Sequence, residues 1–196
     1  MAAVAKNNRL ILASASARRL ELLAQIGVAP DLVDAAQIDE STHARELPRI
    51  YAARMAAAKL NAAALRHDGA FVLAADTVVA CGRRILPKAE DAATARRCLE
   101  RLSGGRHRVY GGLIVQAPDG RRIARVVLTA VVFKRLSKAE IADYLDCGEW
   151  RGKAGGYAIQ GRAARFVRRL NGSYSNVVGL PLYEVAQILG GLGWRA

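Results

Sequence analysis

Short apolar runs alternate along this chain with stretches in which apolar residues recur every three or four positions. Leu10 to Ala13 is continuous and apolar, the pattern of a buried strand. Leu20, Leu22, Leu23 and Ile26 then make a helical stripe that Gly27 stops, with Ser16 at the N-cap position. Glu21 falls a little past the capping-box position. Asp31 to Ala35 reads as a weak second strand, and Ile50 to Arg66 as a long alanine-rich helix. Phe71 to Ala75 is another buried strand, expected to end at Asp76-Thr77.

Beyond that point the pattern turns antiparallel. Val78 to Leu86 reads as a hairpin around Cys81-Gly82-Arg83. Asp91 to Leu102 is helical and ends at Ser103-Gly104-Gly105. His107 to Gln116 and Arg122 to Lys134 are two long strands joined by Pro118-Asp119-Gly120. Ser137 and Glu140 form a capping box for a helix through Leu145. Gly152 to Gly161 is glycine-rich and irregular, Ala164 to Leu170 a strand, Asn171-Gly172 a turn, and Pro181 opens a last helix to Leu189. Helices alternate with strands early and hairpins dominate the middle, which predicts an α/β fold with a mixed twisted sheet and flanking helices. No repeat or linker interrupts it, so residues 1–196 read as a single domain.

Composition adds a charge. The chain carries 30 basic and 17 acidic residues, a formal +13, with arginines spread from Arg9 to Arg195. That balance favours anionic partners such as nucleotides or nucleic acid without choosing among them. Against nucleic acid, the aromatics are few and not interleaved with the basic residues, as stacking platforms require. Cys81, Cys98 and Cys147 form no CxxC pair, so neither a disulfide framework nor a zinc site is suggested. The first residues do not read as a signal peptide and no apolar run is long enough to span a bilayer, so a soluble cytoplasmic protein is expected.

Four places can carry chemistry. In "SASARR", Ser14, Ser16, Arg18 and Arg19 sit where a strand gives way to a helix. A helix start presents unpaired N–H groups and a partial positive charge that suit phosphate, and two arginines there oppose the helix dipole unless an anion is held. A capped helix with two exposed arginines fits the same residues. Asp76 follows an apolar strand, where a carboxylate can bind a divalent metal or accept a proton from water; Lys88 follows the hairpin and can reach a phosphate. Asp39 and Glu40 are a loop pair, one of which can complete a hard-cation site with Asp76. In "GKAGGYAIQG", Lys153 supplies a cation and Gln160 an amide able to meet a base edge.

Taken in order, "LASASARRLELLAQIG", "AADTVV", "LPK", "LERLSGGRHRV", "GKAGGYAIQG" and "NGSYSNVVGLPLYE" resemble the Maf family of nucleoside triphosphate pyrophosphatases, from about Leu10 to about Leu189. The resemblance implies a mixed α/β fold with two lobes around a central cleft, related to inosine triphosphate pyrophosphatases. It implies hydrolysis between the α and β phosphates with a divalent cation, Mg2+ or Mn2+, and a house-cleaning or cell-division role. Asp76 matches the family's general base, with Glu40 and Asp76 as metal-binding candidates. Arg18, Thr77 and Gln160 match positions linked to substrate choice, and Ser14, Arg19, Glu40, Lys59, Lys88 and Lys153 match other polar cleft positions. "GYAIQG" and the threonine after Asp76 look like the subgroup acting on dTTP and UTP. The family also allows a homodimer.

Three positions depart from the family pattern. Ala17 stands where proline often precedes the arginine pair, Ala89 where proline often follows the cleft lysine, and Gly111 or its neighbour where a threonine is common. Two readings compete with the enzyme: a nucleotide-binding regulator of cell division and a basic nucleic-acid-binding protein.

Overall fold

The computed structural model describes residues 8–195. Its centre is a seven-stranded mixed sheet in the order β2-β1-β3-β6-β7-β9, with β4 paired to β3 off this path. β1 (Leu10–Leu12) lies parallel to both β2 (Leu32–Val33) and β3 (Phe71–Cys81). β6 (Arg106–Gln116) and β7 (Arg122–Phe133) continue the sheet antiparallel, and β9 (Val167–Asn171) closes that side. This is the mixed sheet with flanking helices that the hydrophobic pattern predicts.

Side-chain alternation along the strands decides what each helix covers. Leu10, Leu12, Phe71, Leu73 and Ala75 point to one face, where they pack with α1 (Ala17–Gln25) and α6 (Leu182–Leu192). Ile11, Val72 and Ala74 point to the other, against Ala56, Leu60 and Ala63 of α2 (Pro48–Ala64). A third cluster gathers Val79, Val109, Val131 and Phe133 with α3 (Ala92–Leu102) and α4 (Lys138–Asp146). Cys98 is buried there on α3, as its helical spacing suggests.

The buried stripe of α2 runs Ala52, Met55, Ala56, Lys59, Leu60 and Ala63, a 3.6-residue period with one lysine in it. The helix approaches β6 closely at Gly112, where a Cβ would stand 2.1 Å from the Ala52 carbonyl oxygen. Glycine at that strand position is what lets α2 lie flat enough to carry Lys59 under the sheet.

The structure departs from the sequence pattern in four places. β3 does not end at Asp76 but runs on to Cys81, because its far half pairs with β6 through Ala80 and with β4 (Arg84–Ile85). Lys153–Ala154 (β8), expected in irregular chain, pairs with Lys88–Ala89 (β5) in a two-stranded ribbon. Arg162–Phe166 is a 3-10 helix, so the strand expected from Ala164 begins only at Val167. The strand expected over Asp31 to Ala35 is reduced to Leu32–Val33, since β1 offers it only a short partner.

Candidate active site

The same alternation splits the two polar residues in the middle of β3. Asp76 follows Val72 and Ala74 onto the α2 face, and Thr77 turns to the face of α1. Each meets a basic side chain there. Lys59 Nζ lies 2.6 Å from Asp76 Oδ1 and 2.8 Å from Glu40 Oε1, so one ammonium bridges the two carboxylates. Lys88 reaches the other oxygen of Glu40 from the ribbon. Burial pushes the Glu40 carboxyl up, but hydrogen bonds and charge from Lys59 and Lys88 outweigh it and hold it at about 2. Asp39 stays apart: its carboxylate accepts from the Ser41 N–H at 2.8 Å and hydroxyl at 2.9 Å, forming a turn.

Arg19 sits on the Thr77 side, buried. Its Nη1 donates to Ser14 Oγ at 2.7 Å, its Nε to the Gly179 carbonyl at 3.0 Å and its Nη2 to Thr77 Oγ1 at 3.4 Å. The Thr77 hydroxyl also donates to the Gly179 carbonyl at 3.3 Å. This guanidinium therefore ties β1, β3 and the end of α5 (Tyr174–Val178) together. Arg18 differs. Its Nε is buried without a hydrogen-bond partner, and burial lowers its pKa against the opposing pull of Glu21. Lys153 is lowered in the same direction by burial and then by the charge of Arg18. A lysine whose charge is disfavoured by burial and by a neighbouring arginine makes a site that an anion relieves.

These groups surround one cavity of about 420 Å3. Ser16, Arg18, Arg19, Lys59, Asp76, Thr77, Lys88, Lys153 and Gln160 line it. Ser14 and Glu40 stand behind the wall, Ser14 under Arg19 and Glu40 under the two lysines. Of the twelve residues singled out in the sequence, all but Asp39 thus reach the cavity directly or through one contact. Ser16 is the N-cap of α1 by backbone but makes no side-chain cap bond, so its hydroxyl remains for other partners.

Several contributors escape sequence reasoning. Tyr51 donates its hydroxyl to the Glu40 carbonyl at 2.7 Å and fixes the loop that carries that carboxylate. The Gly179 carbonyl orients Arg19, a role that leaves no trace in side-chain type. Gly179 itself has φ +151°, and Ser173 caps the short α5 before it by accepting from the Asn176 N–H at 3.1 Å. The quoted "NGSYSNVVGLPLYE" was the available signal for both.

A family model described as a Maf-like protein matches residues 9–192. The chain belongs to the Maf family. A dTTP/UTP pyrophosphatase of Rhodospirillum rubrum is 66% identical over 186 residues, 95% of this chain and 89% of that protein. One of Paramagnetospirillum magneticum is 66% identical over 185 residues, covering 94% and 97%. One of Caulobacter vibrioides is 58% identical over 186 residues, covering 95% and 96%. A crystal structure of a nucleoside-triphosphatase / dITP/XTP pyrophosphatase from Mycobacterium abscessus aligns with 15% identity and a TM-score of 0.46, over 93% of this chain and 94% of that one.

Within this Maf chain the three departures have local explanations. Ala17 opens α1 as its first helical residue, a position where proline is favoured but not required. Ala89 pairs with Lys153 in the ribbon, and its carbonyl accepts from the Gly152 N–H at 2.9 Å, so strand pairing places Lys88 without a proline. At Gly111 a Cβ would lie 1.9 Å from Asn176 Oδ1. Asn176 is fully buried and donates to Thr129 Oγ1 at 3.0 Å, so a larger residue at Gly111 would displace the α5 anchor.

Proposed function

We propose that this chain is a nucleoside triphosphate pyrophosphatase acting on dTTP and UTP, and on modified pyrimidine nucleotides that keep the same base edge. One arrangement carries the reading: Asp76 and Lys59, backed by Glu40, form one wall of a cavity whose other walls bring Arg18, Lys88 and Lys153. The names of its close relatives supply the substrate and reaction class.

The triphosphate lies along the start of α1, where backbone N–H groups and the Ser16 hydroxyl donate to its oxygens. Arg18, Lys88 and Lys153 offset its charge. Arg19 and Ser14 hold the frame in which this happens. Lys59 fixes one oxygen of Asp76, and the other orients a water and takes its proton. The water oxygen bonds to the α-phosphorus as the bond to the α–β bridging oxygen breaks. That oxygen leaves with pyrophosphate, its charge met by the lysines.

A divalent cation, Mg2+ or Mn2+, fits this wall. Glu40 and Asp76 carry hard carboxylate oxygens of the kind magnesium takes with substrate phosphates; both Glu40 oxygens and Asp76 Oδ1 are ion-paired with lysines, so a cation held by Glu40 would replace a lysine contact. Among the described residues no three His, Cys, Asp or Glu side chains converge, so Glu40 and Asp76 are the residues that would hold it, together with the substrate's phosphates. When bound, the cation supplies positive charge to the phosphate oxygens and the leaving group.

Base choice rests on Gln160, Thr77 and Arg18. A glutamine amide both donates and accepts, which suits the carbonyl–imide–carbonyl edge shared by uracil and thymine. The reading includes a house-cleaning role in the cytoplasm, where free thiols such as Cys81, Cys98 and Cys147 are kept reduced. No helix among the described residues is long and apolar enough to cross a membrane. A homodimer is part of the same reading.

The experiment is pyrophosphate release from dTTP, UTP, CTP, 7-methyl-GTP and ITP, with Mg2+ and then Mn2+, beside Asp76→Asn. Release from dTTP and UTP that disappears in the variant supports the assignment. A folded wild-type protein silent across the panel overturns it.

A further inference from the structure

We propose that His107 and Tyr144 are positioning residues for base recognition: through Tyr157 and Ala158 they hold the cavity wall that presents Gln160. The inference rests on the pyrimidine pyrophosphatase reading and deepens it.

The segment from Gly155 to Ile159 is buried, and Gln160 emerges from it onto the cavity. Two consecutive glycines in the left-handed region, Gly155 at φ +68° and Gly156 at φ +69°, turn the chain downward. Gly155 packs where a Cβ would meet Val79 Cγ1 at 2.8 Å. Below the turn, two side chains hold the segment by its polar atoms. Tyr144, fully buried on α4, accepts the Ala158 N–H at 3.0 Å. His107, 1% exposed on β6, shares a 2.8 Å hydrogen bond between its Nε2 and the Tyr157 hydroxyl.

Ring packing sets this second contact. His107, Phe133 and Tyr157 meet edge to face, with centroids 4.9 to 5.4 Å apart. His107 does not line the cavity, whereas Tyr157 does. Burial holds the imidazole down at about 4, so it is neutral at working pH and adds no charge toward the phosphates. Its influence on substrate passes through the Tyr157 ring. Tyr157 and Ala158 lie three and two residues before Gln160, so fixing them fixes the backbone from which its amide reaches the cavity. A pocket that discriminates by hydrogen bonds requires a stationary amide, because an amide free to shift can satisfy the wrong base.

The test compares Tyr157→Phe, His107→Phe, their double variant, Tyr144→Phe and His107→Gln with wild type. Two readouts are used: pyrophosphate release from UTP and CTP, and calorimetric binding of non-hydrolysable UTP and CTP analogues. Tyr157→Phe, His107→Phe and Tyr144→Phe are each expected to raise KM for UTP by roughly three- to tenfold, with kcat within about twofold. The preference for the UTP over the CTP analogue narrows by a similar factor. The Tyr157→Phe/His107→Phe pair is no worse than the worse single, because both remove one contact. His107→Gln, which keeps a hydrogen-bonding group, recovers part of the loss.

Unchanged analogue preference in variants that are folded but less thermostable overturns the inference, since a purely structural role moves only stability. A wild type that binds the UTP analogue selectively yet releases no pyrophosphate overturns the enzymatic reading alone, and the binding series then decides this one. Where one variant fails to fold, Tyr144→Phe and His107→Gln address the same wall from separate elements.

Discussion

Lys59 Nζ stands 2.6 Å from Asp76 Oδ1, and both side chains are about nine-tenths buried. Helix α2 and strand β3 bring them together because both are on the faces that the two elements pack against each other. A paired carboxylate in this position is held still and faces the cavity. Removing the lysine leaves two carboxylates without their shared cation. Lys59→Met is therefore expected to lower stability by about 3 kcal/mol, the usual cost of breaking a buried pair from one side. Urea denaturation checks this; a change under about 1 kcal/mol would mean that solvent already screens the pair.

Glu40 gives a pH signature. Its folded carboxyl lies at about 2, below the ordinary 4.5, because the two lysines outweigh its burial. A depressed carboxyl contributes stability that is complete above about 4.5 and is lost as pH falls through about 2. Melting temperatures of wild type and Glu40→Gln should differ at neutral pH and converge across that window. A gap that stays constant down to pH 2 contradicts the lysine contacts.

The adjacent arginines should separate cleanly. Arg19 makes three hydrogen bonds to protein groups, so Arg19→Ala should cost at least about 2 kcal/mol of stability. Arg18 has a buried Nε without a partner, so Arg18→Ala should leave the melting temperature nearly unchanged and raise KM about tenfold. Thermal melts and steady-state kinetics on the two variants read both effects. Equal destabilisation by the two would refute this division of labour.

Gly111 is a steric requirement. A methyl group there would lie 1.9 Å from Asn176 Oδ1, so Gly111→Ala should destabilise by about 1–3 kcal/mol and loosen α5. Because the Gly179 carbonyl that ends α5 receives Arg19, turnover should fall with stability. Hydrogen exchange at residues 174–179 reports the loosening directly, and an unchanged pattern there would show that the asparagine has room to move.

Removal of the divalent cation should silence the enzyme. Chelation is expected to abolish pyrophosphate release, with Mg2+ or Mn2+ restoring it, while Glu40→Gln should raise the metal concentration needed for half-maximal rate. Full activity in chelator would remove Glu40 and Asp76 from any metal role.

Much of the fold was legible because periodicity is local. Leu10 to Leu12, the alanine-rich stripe of α2 and the Ser137–Glu140 capping box are written in residues a few positions apart, and each forms where its pattern lies. The end of β3 was not legible, since its pairing partner Val109 lies thirty positions along the chain from Val79. The ribbon joining Lys88–Ala89 to Lys153–Ala154 is similarly non-local, and neither dipeptide carries a strand pattern of its own.

The site follows the same division. Residue types by themselves marked Ser14, Ser16, Arg18, Arg19, Asp76, Lys88, Lys153 and Gln160 as candidates, and the resemblance of the motif order to the Maf family joined them into one candidate site. Only the tertiary structure decided that Lys59 bridges Asp76 and Glu40, that Arg19 supports the frame while Arg18 faces the cleft, and that His107 reaches the cavity wall through Tyr157. The reason is physical: a side chain's partners depend on which face of its strand or helix is turned inward, and that is fixed by packing between segments far apart in the chain.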